Sequence, residues 1–129
     1  MKTPTFLTLQ DVLEIHKHQI QLYGGSHGLR DMKLLDSALH APQAGFGKEY
    51  FHTTLFHMAS AYAFYITANH PFIDGNKRAA LASALSFLAL NNTDVQDPKG
   101  ALFSATMKLT RGLMTKEEFA ELLKSLVSS

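Results

Sequence analysis

Two long apolar segments with helical spacing limit the fold of this chain more than any other feature. In residues 53–68 the apolar side chains recur every three or four positions, and residues 76–90 are apolar on nearly every side. Helices of this kind must be covered by other helices. Because the 129 residues contain no convincing strand run, we expect an all-α fold in one compact domain over residues 1–129.

Capping residues mark four further helices around these two. Ser, Thr or Asp before a helix accepts a hydrogen bond from a backbone N–H of its first turn. Gly24 and Pro42 end the first two of these helices. The predicted starts are Thr8 for residues 9–22, Asp31 for 32–39, Asp97 with Pro98 for 98–109, and a capping box at 115–118 for 116–127.

Composition narrows the classes of function. The formal net charge is +1, which argues against a basic nucleic-acid-binding domain, and the absence of cysteine excludes disulfides and thiol nucleophiles. The longest apolar stretch, residues 79–90, is shorter than the roughly 20 residues that a membrane-spanning helix needs. The N-terminus also lacks the apolar core of a signal peptide. We therefore expect a soluble, cytoplasmic protein whose partners include neither a membrane nor a nucleic acid.

The segment His70–Arg78 joins the two apolar helices and is more polar than a turn requires. Its sequence is His-Pro-Phe-Ile-Asp-Gly-Asn-Lys-Arg. The first turn of the second helix has unpaired N–H groups and a positive dipole end, and Gly75 lets its backbone approach an anion. Lys77 and Arg78 add positive charge there, where cations destabilise a helix unless an anion binds. The joint therefore predicts a phosphate-binding site.

Three other residues of the joint indicate a metal ligand, a proton acceptor and a structural anchor. The carboxylate of Asp74 suits Mg²⁺, which proteins hold through one or two carboxylates together with substrate phosphates. His70 ends the preceding helix and is the residue type that accepts a proton near neutral pH. Phe72 is apolar between polar neighbours, so we expect it to anchor the loop in the core.

Each of these residues also has a purely structural explanation. Asp74 could be the N-cap of the second helix, and His70 could interact with the dipole at the end of the first. Lys77 and Arg78 could belong to a solvated helix face. A functional site is favoured because all of these residues coincide in one short turn.

A metal hydrolase is a rival interpretation, since His70 and Asp74 are four residues apart. Pro71 and Gly75 argue against the continuous helix that would let these two side chains share a metal. Two other histidine pairs do not share a helical face, and we expect them at surface or partly buried positions: His16 with His18, and His52 with His57.

Residues 70–78 resemble the signature loop of the Fic/Doc superfamily, His-x-Phe-x-(Asp/Glu)-(Gly/Ala)-Asn-(Gly/Lys)-Arg. The resemblance covers nearly the whole chain. It implies a compact all-α fold and an enzyme that transfers part of a nucleotide to a hydroxyl of a target protein. An upstream block looks like the Doc (death-on-curing) branch: Tyr23-Gly24-Gly25, Gly28-Leu29-Arg30-Asp31, Leu34-Leu35, Ser37-Ala38 and Pro42-Gln43.

Two positions of the signature region separate the branches. The Fic branch, which mostly transfers AMP, has Gly where this chain has Lys77 and a further Arg where this chain has Leu81. Both differences match the Doc branch, whereas Gly75 is Fic-like because the best-known Doc motif has Ala there. The resemblance thus implies transfer of the terminal phosphate of ATP, with AMP transfer as the alternative.

The resemblance also implies a role for each polar residue of the loop. His70 would be the general base for a Ser or Thr hydroxyl, Asp74 would hold Mg²⁺ or position the base, and Arg78 would neutralise the transferred group. These three would be the catalytic residues. The residues expected to contact ATP and Mg²⁺ are Asp74, Gly75, Asn76, Lys77 and Arg78.

The Doc branch further implies a toxin that blocks translation, with elongation factor Tu as the target. Fic-type enzymes are often restrained by a helix bearing (Ser/Thr)-x-x-x-(Glu/Asp)-(Gly/Asn), and the nearest match here, residues 93–97, is followed by Pro98. We therefore expect inhibition in trans by a cognate antitoxin. The alternative from another class is a catalytically idle binding module, which would have no reason to keep all the polar residues of the loop.

Overall fold

The computed structural model describes residues 3–127, and this part of the chain folds into six α-helices. None of these helices has the length and apolar character to cross a membrane. The prediction of an all-α fold is confirmed. The helices are α1 (Leu9–Tyr23), α2 (Met32–His40), α3 (Leu55–Asn69), α4 (Asn76–Leu90), α5 (Ala101–Thr110) and α6 (Lys116–Ser125), with a 3-10 turn over Ala41–Gln43.

Helices α3 and α4 form the centre of the molecule, as their apolar sequences predict. They pack most extensively against each other, while α2, α5 and α6 contact α3, and α1 contacts α4. Tyr62 on α3 is fully buried, and its hydroxyl accepts the N–H of Leu7 at 3.0 Å. Burial raises the pKa of Tyr62 to about 12. The central pair therefore also fixes the N-terminal segment that leads into α1.

The capping residues predicted for α1, α2 and α6 are confirmed. The Thr8 side chain accepts the N–H of Asp11 at 3.1 Å and the Asp11 carboxylate accepts the N–H of Thr8, which completes a capping box. Asp31 caps α2, and Thr115 caps α6 through a second capping box. Helix α3 begins at Leu55 behind Thr54, two residues later than predicted.

The start predicted for α5 is wrong. Residues 98–100 form a turn, and α5 begins at Ala101 behind Gly100, which has a left-handed φ of 66°. Asp97 still serves the helix, because its carboxylate accepts the N–H groups of Ala101 and Leu102 at 2.8 and 3.0 Å. In the structure, Pro98 therefore lies in the turn before α5 and not at the first position of the helix.

Two short features differ from the predicted pattern of helices. Gly45–Phe46 and Glu49–Tyr50 pair as an antiparallel hairpin. Strands of two residues are too short to show the alternating polarity by which a strand is predicted from sequence. Helix α6 ends at Ser125, before its predicted end at residue 127. The chain leaves the helix there because Val127 pairs with Val95 across an isolated bridge.

We expect Asp97→Ala to lower the free energy of unfolding by about 1 kcal/mol, since two N–H groups of α5 lose their acceptor. The midpoint of thermal unfolding should fall by about 4 °C. Asp94→Ala is the control, because this exposed carboxylate accepts only from the side chain of Gln96. Equal midpoints for the two variants would show that Asp97 does not cap α5.

Candidate active site

The loop between α3 and α4 lines a cavity of about 280 Å³. The cavity brings together every residue that the sequence proposed for the site. Side chains from α1, α3 and α5 complete its wall. The lining residues are His70, Ile73, Asp74, Gly75, Asn76, Lys77 and Arg78 from the loop and α4, with Tyr23, Gly24, Thr67, Phe103 and Thr110.

Asn76 holds the loop in its shape. Its Oδ1 accepts the N–H of Phe72 and its Nδ2 donates to the carbonyl of the same residue, both at 2.9 Å. Asn76 is 5% exposed and Phe72 is 1% exposed, so this exchange lies in the core. The Asn76 side chain is therefore occupied inside the loop, which leaves its backbone N–H as the group able to contact a phosphate.

The same amide determines which nitrogen of His70 is free of a proton. The two bonds to Phe72 fix the orientation of the Asn76 amide, so its second N–H points to Nδ1 of His70 at 3.2 Å. Nδ1 then accepts, and the proton of the neutral ring lies on Nε2. His70 can take up a further proton only at Nδ1.

His70 has an unusual backbone conformation at the end of α3. Its φ of 49° and ψ of 54° are left-handed, which costs a residue with a Cβ roughly 1–2 kcal/mol. Arg30 stabilises this turn, because its Nε donates to the His70 carbonyl at 2.7 Å and its Nη2 donates to the Asn69 carbonyl at 3.0 Å. The His70 ring contacts Asn76 and no carbonyl of α3, so the interpretation of this ring as a dipole cap is not supported.

Asp74 is not the N-cap of α4. Its Oδ2 accepts the N–H of Ser26 at 3.0 Å and its Oδ1 accepts the N–H of Gly75 at 2.9 Å. These backbone bonds lower the pKa of the exposed Asp74 carboxyl. A carboxylate has about four acceptor positions, so each oxygen keeps room for another partner such as a cation.

The first turn of α4 is open at its N-terminus. Gly75 is the N-cap with a left-handed φ of 74°, and it offers no side chain to the helix. The first ladder bond runs from Ala79 N–H to the Gly75 carbonyl at 2.9 Å. Within residues 3–127, the N–H groups of residues 76–78 have no acceptor. Such a turn attracts an anion through its N–H groups and its dipole.

Arg78 lies between two aromatic rings. Its guanidinium carbon is 3.8 Å from the ring centroid of Tyr23 and 4.3 Å from that of Phe103. No carboxylate in the described part of the chain lies within ion-pair distance of it. Arg78 is thus not part of a solvated face, and its positive charge is available to a ligand of the cavity. Lys77 is half-buried and lines the same cavity.

The segment before α2 packs against the loop between α3 and α4. Its backbone donates twice to the Pro71 carbonyl, from Arg30 at 2.7 Å and from Asp31 at 3.0 Å, and its Gly28 carbonyl accepts the N–H of Ile73 at 3.0 Å. A Cβ at position 25 would lie 2.7 Å from Oδ2 of Asp74, so this approach requires glycine. The upstream sequence block is therefore part of the site's scaffold.

His16 is a residue of this site that the sequence analysis missed, together with Arg30. It is 4% exposed, its ring stacks on Phe72 with centroids 3.8 Å apart, and its Nε2 lies 2.8 Å from the Asp74 carbonyl oxygen. Burial lowers the pKa of His16. The expectation of a surface or partly buried position was wrong for this histidine. Its place between Val12 and Ile20 on the buried face of α1 is the signal that could have found it.

The geometry also bears on the metal hydrolase interpretation. His70 ends α3 and Asp74 precedes α4, so the two residues do not share a helix. No group of three or more histidine or acidic side chains in residues 3–127 could hold a metal ion by itself. A metal at Asp74 would therefore need ligands from a bound substrate.

Comparison with known proteins places the chain in a family. Residues 6–88 match the model of the Fic/DOC family. The chain is 31% identical over 120 residues to "Protein kinase doc" of Escherichia phage P1, an alignment that covers 93% of this chain and 94% of the relative. It is 37% identical over 73 residues to "Toxin Doc" of Mycolicibacterium smegmatis, which covers 57% of this chain and 56% of the relative. The chain therefore belongs to the Fic/DOC family, and within it to the Doc branch.

Proposed function

We propose that this chain is a toxin that transfers the γ-phosphate of ATP to a Ser or Thr hydroxyl of a translation factor, elongation factor Tu. One observation carries the proposal. A single cavity brings together an open helix N-terminus, an arginine with no carboxylate partner in residues 3–127, and a histidine with an accepting nitrogen. The names of the two relatives, a protein kinase and a toxin, support the same activity.

The groups that would bind the phosphates come from the start of α4. The N–H groups of residues 76–78 have no competing acceptor in the described part of the chain and can offer hydrogen bonds to a phosphate. Arg78 can grip two phosphate oxygens at once, and Lys77 adds a second positive charge. Phosphoryl transfer depends mostly on such positioning and charge stabilisation, so this chain supplies what the reaction requires.

Asp74 would hold Mg²⁺ beside these phosphates. Its carboxylate is exposed, and because its pKa is not raised above the usual range it is ionised at neutral pH, as a metal ligand must be. When bound, Mg²⁺ would neutralise charge on the phosphate oxygens. The two backbone N–H groups on Asp74 would meanwhile keep its carboxylate in place.

His70 would take the proton of the target hydroxyl. The hydroxyl oxygen forms a bond to the γ-phosphorus, the bond from that phosphorus to the oxygen of ADP breaks, and the hydroxyl proton goes to Nδ1 of His70. The approaching hydroxyl would compete with the Asn76 N–H for Nδ1, and that contact is weak at 3.2 Å. ADP leaves with the oxygen that bridged the β- and γ-phosphates.

An antitoxin would restrain this enzyme in trans. The nearest sequence match to an inhibitory helix motif, residues 93–97, lies in the loop between α4 and α5 and not on a helix. The cavity is also open to solvent at His70 and Asp74, both of which are exposed. A docked segment of a partner could therefore cover it.

Labelled ATP separates the candidate activities. With lysate and Mg²⁺, we expect label from the γ position, and not from the α position, to appear on serine or threonine of elongation factor Tu. Transfer should cease when the metal is chelated, and His70→Ala should abolish it because no base remains. Transfer of the α label would establish AMP transfer instead, and transfer of neither label would favour the idle binding module.

We expect Arg78→Lys to lower the transfer rate about a hundredfold, because lysine cannot donate bidentately to the transferred phosphate. Arg111→Lys is the matched control, since Arg111 is exposed beyond the end of α5 and is not part of the cavity wall. Rates would be measured with saturating ATP. A rate for Arg78→Lys within twofold of the control would contradict a direct contact with the phosphate.

Co-expression tests the antitoxin. The chain alone should arrest growth, and a small neighbouring reading frame should relieve the arrest and co-purify with it. His70→Ala should still form the complex without causing arrest, because it removes the reaction and leaves the rest of the docking surface in place. Full toxicity with no complex recovered would contradict inhibition in trans.

A further inference from the structure

His16 contacts the catalytic loop without any role in the proposed chemistry. A carbonyl oxygen can only accept, so the 2.8 Å contact with Asp74 means that His16 donates from Nε2. The donor comes from α1, 58 residues before its acceptor. His16 is buried and bonds the backbone of the loop between α3 and α4, far away in sequence. Its role is therefore more than filling space in the core.

The carbonyl that His16 engages is the one that α4 would otherwise use. Asp74 lies four residues before Arg78, so an α4 extended by one residue would direct the Arg78 N–H onto the Asp74 carbonyl. Instead, the ladder begins with Ala79 and Gly75. The Arg78 N–H is left without an acceptor among the described residues, as are those of residues 76 and 77.

We propose that His16 is a positioning residue for the phosphate site: by binding the Asp74 carbonyl it keeps α4 from extending backward and leaves the Arg78 N–H free for the anion. This inference rests on the proposed function, because it assumes that the first turn of α4 binds phosphate. It assigns His16 no contact with ATP or with the target.

The surroundings of Gly75 show that α1 fixes this peptide. A Cβ at position 75 would lie 2.9 Å from Cδ1 of Ile20 and 3.6 Å from Nε2 of His16. The left-handed φ of Gly75 turns the chain at this point, between the Asp74 carbonyl and the helix. One turn of α1 thus contacts the loop through a hydrogen bond, a ring stack and an aliphatic side chain.

Two substitutions separate positioning from packing. His16→Gln keeps an N–H donor at the end of the side chain and loses the ring, whereas His16→Phe keeps the ring over Phe72 and loses the donor. If His16 acts through its hydrogen bond, phosphate binding should survive in His16→Gln and fail in His16→Phe. If His16 only fills space, the order should be reversed. His18→Phe on the exposed side of α1 is the control.

The measurement is a titration of the full-length chain with inorganic phosphate, followed through the backbone amide resonances of residues 75–78. We expect His16→Phe to raise the dissociation constant about tenfold, the scale of one hydrogen bond, and His16→Gln and His18→Phe to stay within about threefold of wild type. Thermal midpoints measured in parallel would show whether either variant is merely destabilised.

The outcomes distinguish this inference from the proposed function. Absence of any amide shift in the wild-type chain would overturn both. Binding by the wild type and equally by His16→Phe would overturn the role of His16 alone. If neither variant folds, the protonation of the two ring nitrogens of wild-type His16 is measured instead. A proton on Nε2 supports the bond to Asp74, and a proton on Nδ1 with none on Nε2 overturns it.

Discussion

The exchange of hydrogen bonds between the Asn76 side chain and the Phe72 backbone is the contact on which the site depends. Asn76 is the first residue of α4, and Phe72 carries the buried ring of the loop. Their two bonds therefore tie the start of a helix to the core. His70 lies just before this pair and Gly75 lies within it, so the proposed base and the open turn proposed to bind phosphate are both placed by one buried amide. The positions of the charged side chains at the surface thus depend on a buried, uncharged pair of hydrogen bonds.

A second set of contacts braces the loop from the N-terminal third of the chain. The loop has few backbone partners of its own, and polar backbone groups away from water need partners. Arg30 donates to the His70 carbonyl and His16 donates to the Asp74 carbonyl, while the Ser26 N–H binds the Asp74 carboxylate. The left-handed conformation of His70 is stabilised by Arg30 and not by local preference. A change in α1 or in the segment before α2 can therefore alter the site without touching a ligand.

Much of the fold could be predicted because its signals are local. Helical spacing and capping residues such as Thr8 and Thr115 act within one turn, and the loop motif collects its polar residues within nine positions. The start of α5 was wrong because proline suits both a first helical position and the turn before one. His16 and Arg30 were missed for another reason. Their acceptors are backbone carbonyls 58 and 40 residues away, and no pattern of side chains in the sequence identifies a backbone partner.

The stacking of Arg78 between Tyr23 and Phe103 has a consequence for the direction from which a ligand is recognised. The two rings cover part of the guanidinium, whose carbon lies 3.8 and 4.3 Å from their centroids, and its N–H groups all point outward in its own plane. An oxyanion must therefore enter in the guanidinium plane and meet two donors side by side. The rings thus restrict the directions from which a ligand can reach the charge of Arg78. This favours ligands with two oxygens on a single centre over a lone carbonyl or hydroxyl.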